Sequence, residues 1–519
     1  MKIKKYIPFA LLLMLSVGCS EEFTELTPKG STTYTNFWKT EQDAVAASNA
    51  LYTHMYNGEM FGRGFFWFIN ASDDMVTGRS NATAENIRYF RTTGGDSYIR
   101  NIYGNLYQII RRSNEIILNV PGIDMPENLK NRILGEAYFM RGFSYYYLAG
   151  YYGDQRAGLP LVTEENMGQD HFDRPASVVE NYKLVESDLK KAAELLPLIT
   201  TFSDADKGRA HKDAALGYLA KTYLFWARFD NSKWADAERA ADAVATSGSG
   251  RALINTGNPE QDFASVFYIA NNWSSEYIWS VVSGRQTGSI LPGVMLENKG
   301  WGKYNGWGYF QPTLELYNEY EAADVHRRKA TILEFGDELQ YLGQKTRYAS
   351  SNSLTGFQFN KYMEPYRYPV EEHLNANGDE PTTDLNVPLL RYSEILLIKA
   401  EAMIMQGKNG DEPLNLVRAR VGLQPKTGAT LADLKHERRV ELAGEFADRH
   451  LDLVRWGDAQ AAYRIAPHGR VHRDKTNPDS PYEVVELEAP RNYNPQVHHV
   501  WPIPPDVISN SNIAQNQGW

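Results

Sequence analysis

The chain has 519 residues, 42% of them apolar, a single cysteine and a formal net charge of -10. That length and apolar share supply a large core, and one cysteine excludes any internal disulfide. The acidic balance argues against nucleic-acid binding, which rests on phosphate neutralisation by Lys and Arg, and the length suggests about two to four domains.

The N-terminus opens Met1-Lys2-Ile3-Lys4-Lys5, continues as a short apolar run and reaches Gly18-Cys19. A basic start, a short apolar stretch and a small residue before the cut describe a secretory signal, not a membrane span. The lone cysteine directly after the small residue is the lipobox arrangement of a bacterial lipoprotein, although Val17 stands where Ala or Ser is commoner. Residues 1–18 are expected to be cleaved as a signal peptide, leaving Cys19 to carry acyl chains. Loss of Lys2, Lys4 and Lys5 takes the formal charge from -10 to about -13. Residues 20–32 are polar and read as a flexible stalk.

Residues 33–250 read as helices. Ala44, Ala47, Leu51 and Met55 give a helical period over 41–57, and Ile102, Leu106, Ile109, Ile110, Ile116 and Ile117 do so over 98–119. A long helix is expected over 129–152. Ser177 with Glu180 has the spacing of a capping box, opening a helix that Pro197 closes. Segments 211–228 and 233–247 make a helical pair, with Gly248 at the place of a left-handed cap. Ala137, Ala215, Ala220, Ala235 and Ala241 lie where helix backbones must approach. The pattern predicts a mainly α scaffold of stacked, tetratricopeptide-like hairpins without the strict repeat consensus.

From 251 to 385 the periodic runs shorten and Gly, Asn, Trp and Tyr increase, as in a long loop-rich region. A short helix is expected at 312–322. Helix returns within 386–456, at 391–406, 411–421 and 431–449, and residues 457–519 read as a tail wrapping the body.

No Gly-rich phosphate loop, serine nucleophile elbow or HExxH is present, so neither an enzyme nor a cofactor or metal is expected. Asp73-Asp74 lack a calcium-loop pattern. His498-His499 face opposite sides of an extended segment, and His468 and His472 are separated by Gly469. The aromatic share of 12% includes 32 Tyr and 11 Trp; such rings fill a helical core or, on a half-wet surface, stack on sugars.

Several long motifs, in order, carry a family resemblance. EAYFMRGFSYYYLAGYYGD precedes Leu159-Pro160-Leu161, and AALGYLAKTYLFWA follows. Arg391-Tyr392-Ser393-Glu394 with Ala400-Glu401-Ala402 comes next, then Val417-Arg418-Ala419-Arg420-Val421-Gly422-Leu423. ERRVELAGEFADRHLDLVRWG and the ending WPIPPDVISNSNIAQNQGW complete the set, with Val507 and Gln517 as mild departures. The chain resembles the SusD/RagB family of surface nutrient-binding lipoproteins over nearly its whole length. Ser20-Glu21-Glu22 is similar to the surface-export signal of such lipoproteins.

The resemblance implies a lipid-anchored protein on the outer face of the outer membrane. It would capture an oligosaccharide and pass it to a SusC-like TonB-dependent transporter. Peptide or glycopeptide capture on the same fold, and a surface glycoside hydrolase, are the alternatives. Glu437, Glu441 and Glu445 recur at helical spacing among arginines, which favours ion pairs over acid–base work. Trp501 and Trp519 read as buried latch residues.

Two loop clusters are the ligand-face candidates. In residues 79–95 they are Asn81, Arg88, Tyr89 and Phe90; in 300–310 they are Trp301, Tyr304, Trp307 and Tyr309, set among glycines that leave rings accessible. Trp273 and Tyr341 are weaker candidates.

Overall fold

The computed structural model describes residues 37–55, 58–286, 288–297, 306–349, 353–369, 372–375 and 382–519; Cys19 and the stalk lie outside them. The Thr40 hydroxyl accepts from the Asp43 amide at 3.2 Å while the Asp43 carboxylate accepts from the Thr40 amide at 2.8 Å. This reciprocal cap starts α1 (Glu41–Leu51). The short helices α2 (Gly64–Ile69) and α3 (Ala82–Arg88) flank the strand Met75–Thr77. Then come α4 (Ser97–Asn119), α5 (Glu127–Tyr152), α6 (Val179–Leu195), α7 (Lys212–Trp226) and α8 (Lys233–Ala245). From α4 to α8 each helix packs on the next, which makes the expected stack of hairpins.

Gly217 shows how tightly the stack meets the rest. A Cβ there would lie 2.7 Å from Leu390 Cδ2 and 3.0 Å from Ile278 Cγ2. Those side chains belong to the buried antiparallel pair Tyr277–Val281 and Val387–Arg391. The helix Tyr392–Met405 follows directly and packs on α8. The largest apolar cluster therefore draws on both sides of residue 250, from Ala44 to Ile513.

Three local expectations need correction. Val178, not Ser177, is the cap of α6: the Ser177 hydroxyl accepts from the Val179 amide, and no side-chain capping bond forms. The helix expected over 431–449 ends at Leu442 and restarts at Arg449, because Gly444 (φ 74°) and Asp448 (φ 59°) take left-handed conformations. The tail is not wholly irregular, since His468–His472 pairs with Tyr482–Glu486 as an antiparallel hairpin.

The motif charges form a buried lattice. Arg391 donates to both Glu445 oxygens at 2.6 and 2.7 Å, and Lys361 Nζ donates to Glu445 Oε1 at 2.6 Å. Arg420 donates to Glu276 at 2.7 Å and also binds Glu441; Arg327 donates to Glu437 at 2.6 Å and to Glu441 at 3.1 Å. Burial pushes the Glu441 carboxyl up, yet Arg420, Arg391 and Arg327 together hold it well below the usual carboxylate range. Between the helices, Arg141 grips both Asp188 oxygens at 2.8 Å, and Arg438 joins Glu394 (2.9 Å) to Asp452 (2.6 Å). Trp501 lies buried against Phe68, with ring centroids 5.5 Å apart, and its amide donates to the Tyr151 carbonyl at 2.7 Å. The Trp519 indole donates to the Val500 carbonyl at 3.0 Å.

Candidate ligand-binding face

Strand Met75–Thr77 pairs antiparallel with Phe310–Pro312, and the Gly78 amide donates to the Tyr309 carbonyl at 3.0 Å. This short ladder brings the start of the first cluster, at Arg79, against Tyr309 of the second. Residues 306–309 are then tied down by their own amides. Gly306 donates to Glu297 (3.1 Å), Trp307 to Gly293 (2.9 Å), Gly308 to Leu296 (2.7 Å) and Tyr309 to Val294 (2.9 Å). Only glycine fits at 306, since a Cβ would lie 2.4 Å from Leu296 Cβ. The segment is fixed by backbone bonds, so its side chains are free to present their rings.

Trp307 and Tyr309 are half-buried and stand edge to face, 5.7 Å apart at 84°. Beneath them Trp67 is fully buried and touches Tyr309 (5.1 Å), Phe310 (4.8 Å) and Tyr98 (5.2 Å). Two guanidinium groups complete the face. Arg63 lies 5.0 Å from the Trp307 ring centre and 5.7 Å from that of Tyr98, and Arg79 lies 5.6 Å from that of Tyr309. Tyr98 is itself buried, and burial pushes its hydroxyl up. Arg63 Nε is buried with no hydrogen-bond partner among the described residues. The arrangement offers ring surface for apolar C–H faces and N–H and O–H groups for hydroxyls.

The other expected residues divide. Trp301 and Tyr304 lie outside the described residues. Asn81 caps α3, its side chain accepting from the Ala84 amide at 3.0 Å. Tyr89 is half-buried, with Arg91 4.7 Å from its ring centre. Two expectations of an accessible group are overturned. Arg88 is fully buried, paired with Glu488 at 2.8 Å and donating to the Asn70 carbonyl at 2.8 Å. Phe90 is buried, stacked on His498 at 5.2 Å and packed on Tyr463 and Tyr493. Tyr341 is likewise buried, stacked on Tyr366, while Trp273 is 37% exposed. Sequence reasoning missed Tyr98 and Arg63; for Arg63 a signal was present, since it stands between Gly62 and Gly64 with Phe61 and Phe65 on either side.

The acidic pairs have protein partners. Asp73 accepts from Arg449 at 2.9 Å and Asp74 from Arg439 at 2.7 Å. His468 Nδ1 lies 2.7 Å from Glu315, and His499 Nε2 lies 3.0 Å from Asp154. No described helix is long and apolar enough to cross a membrane.

Comparison with known proteins gives a consistent result. Residues 275–519 match the model of the SusD family, and residues 28–224 match a model described as starch-binding associating with outer membrane. SusD-like protein P2 of Formosa agariphila is 26% identical, covering 99% of both chains. A SusD-like protein from Bacteroides fragilis superposes with a TM-score of 0.79 at 23% identity, covering 94% of this chain and 99% of its own. A laminarin-binding SusD-like protein superposes with a TM-score of 0.71 at 24% identity, covering 93% of this chain and 100% of its own.

Proposed function

The chain belongs to the SusD/RagB family, and from that premise we propose that it is a cell-surface glycan-binding lipoprotein. It is held at the outer membrane by acyl chains on Cys19, captures oligosaccharides and passes them, unaltered, to a SusC-like TonB-dependent transporter. The observation that carries this reading is the pair of half-buried rings, Trp307 and Tyr309, set edge to face beside Arg63 and Arg79 on a segment fixed by its own amides. Stacking on a pyranose face combined with a few hydrogen bonds matches that chemistry. The starch-binding family model and the laminarin-binding relative point to the same ligand class. Glu437, Glu441 and Glu445, the carboxylate row a hydrolase reading would use, are committed to arginines and Lys361, which supports capture over cleavage.

A glycan array on the soluble body tests the assignment, with calorimetry against oligosaccharides and peptides in parallel. Saturable binding of one glycan class, with no release of reducing sugar, is the expected result. Silence on glycans with binding to peptides would refute it.

A further inference from the structure

A cavity of about 280 Å³ lies between three short elements that carry none of the residues of the Trp307 face. Each element directs a pair of residues three apart into it. The turn Ala264–Phe267 gives Ala264 and Phe267, the helix Val325–Thr331 gives His326 and Lys329, and the turn Glu364–Arg367 gives Glu364 and Arg367. Residues three apart share a face in both helix types. Gln261, Tyr268, Asn360 and the exposed Glu260 complete the lining used here.

The cavity is built on a rigid wall. Arg327, on the opposite side of the helix that carries His326 and Lys329, is locked to Asp324, Glu437 and Glu441. Lys361, next to Asn360, is 1% exposed and donates to Glu445 and to the Glu441 carbonyl. Neither wall moves without breaking the buried lattice.

The charges facing the cavity are unequally committed. Glu364 is 4% exposed and satisfied: it accepts from the Ile269 amide at 3.2 Å and from the Tyr368 hydroxyl. Arg367 has only neutral acceptors, Tyr268 Oη at 3.2 Å and Asn360 Oδ1 at 3.4 Å. Its Nε is buried with no hydrogen-bond partner among the described residues. Lys329 is exposed and in no ion pair among the described residues. A guanidinium without a carboxylate, lining the same cavity as an exposed ammonium whose anionic neighbour is Asp337, recognises an anion by charge-assisted hydrogen bonds. Glu260, Gln261 and Asn360 accept from hydroxyls, and Phe267 and Tyr268 supply an apolar wall.

We propose that this cavity is a separate subsite for the anionic substituent, carboxylate or sulfate ester, of an acidic sugar unit. Arg367 and Lys329 hold the charge, and Glu260, Gln261 and Asn360 hold the ring hydroxyls. The subsite is independent of the Trp307 face and stands whether or not that face binds glycans.

The test is calorimetry at low salt with tri-galacturonate, with galactose 6-sulfate and with neutral galactotriose. The intact protein should bind at least one charged sugar about tenfold more tightly than the neutral one. Whichever charged sugar binds more tightly identifies the substituent. Arg367→Gln and Lys329→Gln should each erase most of that preference. Lys329 is exposed, so its variant keeps the fold, and neither change should alter binding of a neutral glycan identified on the array. Equal affinity for charged and neutral sugars, or charged-sugar binding unchanged in both variants, would overturn the proposal.

Discussion

Replacing Asp448 by Asn should stabilise the protein at neutral pH and lose that advantage in acid. Asp448 is 2% exposed, accepts from the Tyr151 hydroxyl through Oδ1, and has no hydrogen-bond partner for Oδ2 among the described residues. Burial drives its carboxyl up; Lys221 and the Tyr151 hydroxyl pull it back, and Glu394 and Asp452 push it further, leaving it at about 6 against the usual 3.8. The folded chain therefore holds this proton more tightly than the unfolded chain. The group's stabilising contribution is full below about pH 4 and is lost as pH rises through about 6. Above that, folding carries a buried carboxylate at a cost of about 3 kcal/mol, a displacement of roughly two pH units at about 1.4 kcal/mol each. Asparagine keeps an acceptor for Tyr151 and tolerates the left-handed backbone at φ 59°. A chain of this length unfolds with an entropy of about 1 kcal/mol/K, so the melting midpoint should rise by about 3 °C at pH 7.5. Calorimetric melts of both proteins at pH 7.5 and pH 4 read the difference. A lower midpoint for Asp448→Asn at pH 7.5, or the same offset at both pH values, would refute the reasoning.

Three further outcomes follow from the same structure. Trp307→Ala should weaken glycan binding by about tenfold or more, since loss of one stacked ring is worth roughly 1–3 kcal/mol by analogy with base stacking; an unchanged isotherm would remove this face from the site. Arg391→Met strips a fully buried partner from Glu445, Glu276 and Glu441, and should cost about 3–5 kcal/mol in urea unfolding; a loss under about 1 kcal/mol would mean that the lattice is not cooperative. Cys19→Ser should release the protein from the membrane fraction, read by fractionation and by loss of acyl labelling.

The helical hairpins were legible because burying one face forces a period near 3.6, as in α4, α6 and α8; α5 and α7 are buried nearly all round, and there the long apolar runs carried the signal. Left-handed breaks are not periodic signals, so the interruption at Gly444 and Asp448 stayed hidden inside an otherwise good helix pattern. Accessibility of rings was legible only where local sequence decides it. Trp307 and Tyr309 sit among glycines and are half-buried, less open than the accessible rings expected. Arg88 and Phe90 looked the same in sequence, but their partners Glu488, His498 and Tyr493 are some 400 residues away, and no local pattern carries that information. Tyr98 reaches the face by packing on Trp67, and Arg63 by lying over Trp307 and Tyr98, contacts between segments that no local pattern marks.

The strongest sequence motifs and the candidate face are made of different residues, and that separation has a physical basis. Glu437, Arg438, Glu441, Glu445, Arg391 and Arg420 are all 5% exposed or less and bind one another or equally buried partners. Removing one leaves a buried charge unpaired, so the motif is held by folding and is silent about cargo. Trp307, Tyr309, Arg63 and Arg79 form no part of that lattice: the two rings stand half-buried on a segment fixed by backbone amides, and the two guanidiniums lie over rings of the face. A change of ligand therefore needs substitutions only at this face, at small cost to stability, while the lattice beneath it stays intact.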